Sequence, residues 1–236
     1  MARLTPDRRR IVRDAVGVGL AVGAYGLSFG AIAAAAGLSV LQACALSLLL
    51  FSGGSQFAYV GAVASGAGGI AAVVSAVLLG SRNSLYGLRL APLLEVRGVR
   101  RLAAAHLTID ESAAMAVAQD TAPRSRLAFW ATGASVFVCW NLATLIGAVG
   151  AQSMSDPRDL GLDAAVGAAF LALVAPRLRE AGAPTVFAVG ALAALALTPL
   201  VGYGLPVLLA AVAAVAAGWR VGRRTPEPEP ELEDAR

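Results

Sequence analysis

Apolar stretches separated by short polar segments make up most of the chain. Several are long enough for the roughly 20 residues that cross a hydrocarbon core as an α-helix. Seven such runs cover residues 15–36, 40–64, 68–94, 127–151, 162–176, 184–202 and 205–219. The pattern predicts an all-α fold, a polytopic transmembrane helical bundle with about seven hydrophobic segments.

The polar segments place arginine at residues 3–13, 97–126, 177–179 and 220–224. Arginine-rich loops stay on the cytoplasmic side of a membrane, so an even number of crossings must precede Arg97. Three apolar runs precede it, which predicts one or two discontinuous helices. Either the second run folds back at residues 52–55, or the third is broken at residues 81–83. Broken helices at membrane depth line protein-enclosed cavities, so the break marks a candidate functional site.

The same pattern predicts three parts of the chain. Residues 1–14 form a basic cytoplasmic N-terminus, and residues 15–219 form the transmembrane domain. Residues 220–236, in which Pro and Glu alternate, cannot bury a core and are expected to be a disordered cytoplasmic tail. The first run is longer than the apolar region of a signal peptide, which favours a membrane span.

Composition supports a membrane protein. The chain is 58% hydrophobic and 14% charged, whereas soluble domains carry about 25% charged residues. All 19 basic residues are arginines, and most of them cluster beside apolar runs. The net charge of +4 therefore indicates contact with the lipid bilayer and not with nucleic acid. Cys44 and Cys139 lie inside apolar runs and His106 is the only histidine, so no metal site or cofactor is expected.

The second run is interrupted by Ser52, Gly53, Gly54, Ser55 and Gln56. Small residues of this kind either allow helices to pack closely or unwind the backbone. An unwound segment offers N–H groups to a carboxylate and carbonyls to an ammonium, so these five residues are candidates for substrate binding. A protease serine paired with His106 is the weaker interpretation, because that histidine lies in a polar segment, and no enzyme is predicted.

Arg82 and Tyr86 are the candidates for substrate binding in the third run. An arginine near the centre of a bilayer costs roughly 2.5–3.5 kcal/mol, so it is seldom without a function there. Arg82 could bind a carboxylate through two parallel hydrogen bonds. The alternatives are a structural ion pair with an acidic residue (Asp110, Glu111 or Asp163) or extension of the side chain to the interface.

Asp110 and Glu111 are the candidates for coupling. They lie with His106 in a partly apolar segment, residues 102–119, that is predicted to be an amphipathic helix on the membrane surface. A carboxylate beside a cavity can carry a coupling proton or bind a substrate ammonium. Ordinary surface acids on such a helix are the alternative.

Several stretches together resemble the AzlC family, the large subunits of bacterial branched-chain amino acid exporters. They are residues 26–30, 52–57, Arg82 with Leu85 and Tyr86, Asp110 with Glu111, and residues 160–163 with Phe170. Gly80 and Asn83 depart from the family pattern, which has asparagine and histidine at those places. The resemblance implies a multi-pass protein of the bacterial cytoplasmic membrane with both termini in the cytoplasm.

The resemblance also implies a function and a partner. It predicts export of Val, Leu, Ile or related neutral amino acids together with a small membrane subunit of the AzlD type. An ion or small-solute channel is the alternative from another class. A structural or assembly subunit without a pathway of its own is the third.

Overall fold

The computed structural model describes residues 6–153, 171, 174–175, 177–200 and 205–222. The chain divides into two compact units, Met1–Phe170 and Leu171–Arg236. The resemblance at residues 160–163 and Phe170, most of the run at 162–176 and the tail from residue 223 fall outside the described residues.

The first unit is built from eight α-helices among the described residues. They are α1 (Pro6–Ala35), α2 (Val40–Leu49), α3 (Gly53–Ala64), α4 (Gly68–Gly80), α5 (Arg82–Leu94), α6 (Val99–His106), α7 (Asp110–Val117) and α8 (Ala122–Gln152). Three stretches, Asp7–Ala35, Gly68–Leu94 and Ala122–Gln152, are long and apolar enough to cross a membrane. No strand occurs in the part of the chain that the structure describes, so the predicted helical membrane bundle is confirmed.

Helices α1 and α8 form the parallel pair at the centre of the first unit. Gly19 of α1 lies against Ser135 of α8, and eleven residues further on Gly30 lies against the backbone of Thr144. Glycines in α1 allow this close approach because a Cβ at either position would clash with α8. Since the contacts advance together along both helices, α1 and α8 start at the same end of the unit.

That end carries a cluster of charges and is termed the charged end. Asp7 pairs there with Arg124, and Arg126 pairs with Glu95. Arg124 also donates to both carboxylate oxygens of Asp120, and these hydrogen bonds hold the pKa of that carboxyl below its ordinary value. The charged end therefore gathers residues from α1, α8 and the two neighbouring loops.

Helix α2 runs along α8 in the opposite direction. The Ser47 hydroxyl lies 3.3 Å from the Thr144 hydroxyl, and the Phe51 ring lies 5.0 Å from the Phe137 ring. From Ser47 to Phe51 the chain moves forward, while its contacts in α8 move back from Thr144 to Phe137. Helix α2 thus descends from the end opposite the charges to about the middle of α8.

Helix α3 returns towards the end from which α2 came. Tyr59 and Val63 of α3 line one cavity of about 500 Å³ with Ala36, Gly37 and Gln42, which lie at the start of the descent. Residues 40–64 therefore form a re-entrant hairpin, the first hairpin. The second apolar run folds back, which is one of the two alternatives that the arginine count requires.

Helices α4 and α5 form one continuous span from Gly68 to Leu94. Ser81, between them, keeps right-handed helical angles (φ −58°, ψ −27°), and its N–H donates to the Val77 carbonyl at 2.9 Å. The third run is therefore not reversed. At its far end the Arg126 guanidinium donates to the Leu93 carbonyl at 2.9 Å, which brings the end of α5 to the charged end.

Helices α6 and α7 form a second re-entrant hairpin, residues 99–117. It starts just after Glu95 and ends just before α8, so both of its ends lie near the charged end. Its tip reaches deep into the unit, where the His106 ring lies 5.7 Å from the Phe137 ring and Leu107 packs against Gly133. The segment expected as one surface helix is thus two helices, because Thr108 and residues beside it turn the chain back.

The second unit contains α9 (Ala183–Leu197) and α10 (Leu205–Gly222), with a short 3-10 helix at Arg177–Arg179. Gly182 lies against Val221, and Gly190 lies against Ala214, so the two helices run antiparallel. Apolar side chains of both line a groove of about 530 Å³.

Candidate functional site

The tips of the two hairpins meet in the middle of the first unit. The Phe51 ring of the first hairpin lies 5.9 Å from the His106 ring of the second, and both contact Phe137 at mid-length in α8. An added Cβ at Gly80 would lie 3.0 Å from the Ser55 hydroxyl, which brings the middle of the α4–α5 span to the same place. The two hairpin tips and the middle of the α4–α5 span therefore converge on one central region.

Arg82 and Asp110 form an ion pair in this region. A guanidinium Nη of Arg82 lies 3.1 Å from a carboxylate oxygen of Asp110, and the side chains are 28% and 34% exposed. From Arg82 to Leu94 the helix rises about 18 Å, at about 1.5 Å per residue. The pair thus lies near the middle of a hydrocarbon core of about 30 Å. The structure therefore contains the ion pair between Arg82 and Asp110, which is one of the alternatives left open by the sequence.

The Arg82 guanidinium keeps unused donor capacity. Its Nε is buried and has no hydrogen-bond partner among the described residues, and the same holds for the Asn83 side-chain oxygen. A guanidinium presents five N–H donors in a fixed plane, and the bond to Asp110 uses one edge only. The guanidinium therefore has donor capacity that the ion pair with Asp110 does not use.

Glu111 and Tyr86 border the ion pair. Glu111 is half-buried and lies close enough to Arg82 for their charges to interact. Tyr86, one helical turn after Arg82, packs against a buried cluster that includes Leu90 and Leu94. Tyr86 thus forms part of the apolar wall between the pair and the charged end.

The side chain of Gln56 forms all of its hydrogen bonds shown here with other groups of the protein. It is fully buried, and its amide nitrogen donates to the carbonyls of Ser47 (3.3 Å) and Leu50 (2.7 Å). Its amide oxygen accepts from the indole nitrogen of Trp140 at 2.9 Å. Gln56 therefore ties the turn of the first hairpin to α8 and satisfies carbonyls at the end of α2 that have no helical partner.

The small residues beside Gln56 pack closely. The Ser55 hydroxyl donates to the Ser52 hydroxyl at 3.1 Å, and an added Cβ at Gly53 would lie 3.1 Å from the Trp140 ring. Gly54 is buried beside them. Since α3 begins at Gly53 and α7 begins at Asp110, two helix N-termini lie in the central region, where their partial positive charge favours anions.

The structure thus brings the predicted residues into one region but gives them different surroundings. Arg82, Asp110 and Glu111 form a charged group, whereas residues 52–56 form a neutral, hydrogen-bonded tip. Sequence reasoning misses Phe51, Phe137 and Trp140, and it places His106 in a polar surface segment, whereas the His106 ring lies at the tip of the second hairpin against two phenylalanine rings. A tryptophan inside an apolar run is the one available signal, because a buried indole N–H needs an acceptor.

Comparison with known proteins identifies one family. The sequence model of the family described as AzlC protein matches residues 17–154, which contain every residue of the central region. No curated protein and no solved structure matches the chain.

Proposed function

Because the chain belongs to the AzlC family, whose members take part in membrane transport, we propose that it exports branched-chain and related neutral amino acids. The observation that carries the proposal is the Arg82–Asp110 pair at the meeting point of the hairpin tips. An amino acid carries one carboxylate and one ammonium. The pair offers one cation and one anion to match them.

Each charge of the pair has a role in binding. The Arg82 guanidinium receives the substrate carboxylate, which can use the free edge at Nε. Asp110 or Glu111 receives the ammonium. Hydrogen bonds to a charged partner of this kind are worth roughly 1.5–3 kcal/mol each, enough to offset part of the cost of taking a zwitterion out of water.

Specificity among neutral amino acids follows from the apolar surroundings. The rings of Phe51 and Phe137 lie with His106 at the hairpin tips, and Tyr86, one helical turn after Arg82, packs against a buried apolar cluster. Apolar pockets distinguish one methylene by only about 1–3 kcal/mol. Overlapping export of Val, Leu, Ile and Met is therefore the expected pattern.

Coupling and assembly complete the proposal. Asp110 and Glu111 are the groups that would carry a coupling proton, since a half-buried carboxylate beside a site can change protonation during transport. We assign the arginine-rich charged end of the first unit to the cytoplasmic face of the bacterial membrane, and we expect both termini of the chain to be cytoplasmic. A small AzlD-like membrane subunit is the partner.

Expression in bacteria with and without the small subunit tests this function. After feeding with valine- and leucine-containing dipeptides, we expect intracellular valine and leucine to fall only when both subunits are present. Unchanged accumulation with both subunits would refute the proposal. In vesicles, exchange of internal for external labelled leucine would identify a transporter, whereas a channel, the alternative, would carry flux without such exchange.

A further inference from the structure

Two segments of the first unit repeat each other at a constant separation of 61 residues. Tyr25-Gly26-Leu27 of α1 recurs as Tyr86-Gly87-Leu88 of α5. Other identical pairs continue in the same register, without a gap, from the spans into the hairpins: Val16/Val77, Gly19/Gly80, Gly37/Gly98, Leu41/Leu102 and Leu46/Leu107. Alanine accounts for none of these matches, although the chain is rich in it.

Burial and backbone conformation repeat in the same register. Phe29 and Leu90 are both buried. Gly37 and Gly98, each between a span and its hairpin, both have positive φ, 90° and 56°. This conformation suits glycine. The repeat is therefore present in the fold as well as in the sequence.

The hairpin tips also correspond. Ser55 is the third residue of α3 and Ser112 is the third residue of α7, and both are fully buried. Each bonds three residues back, Ser55 to the Ser52 hydroxyl and Ser112 to the Ile109 N–H. The separation is 57 residues here because the second hairpin has the shorter first arm.

The two copies have opposite orientations. Helix α1 starts at the charged end and the first hairpin enters from the other end, whereas the α4–α5 span finishes at the charged end and the second hairpin enters there. Each copy is thus one span followed by one re-entrant hairpin, with inverted topology. Inverted repeats in transporters allow the same elements to open a central site to either side in turn.

We propose that residues 6–64 and 68–117 are inverted repeats whose hairpins are the two gates of the central site, one for each side of the membrane. This inference rests on the proposed transport function. In the state described here both gates are closed, because the tips meet at Phe51 and His106. Opening the first gate separates Ser47 and Gln56 from α8, and opening the second separates Asp110 from Arg82.

Reversible crosslinking of cysteine pairs tests the gates. In a Cys44→Ser, Cys139→Ser background, Phe51→Cys with His106→Cys would join the tips, and Ser47→Cys with Thr144→Cys would join the first hairpin to α8. A short bis-methanethiosulfonate reagent forms the crosslink and a reductant removes it. The matched control joins two helices outside the gates through Asp7→Cys with Arg124→Cys.

We expect both gate crosslinks to reduce leucine efflux at least tenfold, and reduction to restore it, while the control crosslink leaves efflux unchanged. Undiminished efflux with either gate crosslinked would overturn the proposal, as would an equal loss in the control. Absence of efflux before crosslinking would instead count against the proposed function.

A second measurement needs no substrate. Cysteine at position 83 (Asn83→Cys), beside Arg82, is treated with a membrane-impermeant maleimide in vesicles of both orientations. Two gates predict labelling from both sides, and labelling from one side only would overturn the proposal. Locking the first gate through positions 47 and 144 should then leave labelling from the charged end alone.

Discussion

The two hairpins share one architecture but differ in the chemistry of their tips. The first hairpin ends in neutral groups that are hydrogen-bonded within the protein, with Gln56 held between α2 and Trp140. The second carries Asp110 and Glu111 in the first turn of α7, opposite Arg82. The backbone plan is the same in both hairpins, so the charges of the second copy are what distinguish it as the proposed binding site.

The hydrogen bonds of the neutral tip explain how the chain can reverse its direction within the membrane. A helix that stops there leaves its last carbonyls without water, and each unsatisfied group costs several kcal/mol in lipid. The Gln56 amide nitrogen donates to two carbonyls at this point, and its amide oxygen accepts from the Trp140 N–H. We therefore assign Gln56 to holding the hairpin in place, whereas the ion pair of the second tip is the group that we propose for substrate binding.

The largest effect is expected at the charged tip. Arg82→Ala should abolish leucine efflux and lower the melting temperature in detergent, because it removes the positive charge that faces Asp110 within the membrane. The double variant Arg82→Ala, Asp110→Ala should regain the melting temperature but not the efflux. Recovery of efflux in the double variant would show that the pair is only structural. Arg89→Ala, an exposed arginine two turns away, is the control and should transport normally.

A smaller effect, on stability, is expected at the neutral tip. Gln56→Leu removes the side-chain bonds to the Ser47 carbonyl and the Trp140 indole N–H, at roughly 1–3 kcal/mol for each such buried group, whereas the Leu50 carbonyl still accepts from the Ser52 N–H. Thermal unfolding in detergent should therefore show a clear loss. The control is Gln42→Leu in the same hairpin, where an exposed helix cap is lost at about 1 kcal/mol. Equal losses in the two variants would contradict the assigned role of Gln56.

The smallest effect compares two glycines of the α4–α5 span. Gly87→Ala has open space at its Cβ and should stabilise the helix by about 0.5–1 kcal/mol. At Gly80 the new Cβ would lie 3.0 Å from the Ser55 hydroxyl, which should cancel most of that gain. Melting temperatures of the two variants decide the point, and an equal gain in both would show that the first hairpin is not in firm contact with the span.

A reversal or break before Arg97 could be predicted from sequence because it depends on a count, but the count alone leaves residues 52–55 and residues 81–83 as alternatives. The sign of charge beside each span limits the number of crossings, whatever the tertiary structure, and Gly53 and Gly54 mark the weak point. The second hairpin could not be predicted in this way. Its tip has no glycine or proline, and the turn is made by side-chain bonds from Thr108 and Ser112 to nearby backbone atoms.

The partner of Arg82 also lies beyond sequence reasoning. Three acidic residues are candidates by charge alone, and only the packing of the second hairpin against the α4–α5 span selects Asp110. The hydrogen-bonding roles of Gln56 and Ser55 also depend on packing and cannot be read from the sequence. Their neighbours Trp140 and Gly80 are far away along the chain, so a single sequence does not show which of the polar residues are already satisfied.

The Arg82–Asp110 pair has a consequence for biogenesis. A ribosome adds roughly 5–20 residues per second from the N-terminus, so Arg82 is made before Asp110 exists. The α4–α5 segment therefore reaches the membrane with an unpaired charge near its midpoint, and such a segment inserts poorly by itself. Its stable insertion has to await the second hairpin, which makes these two parts a single unit of assembly.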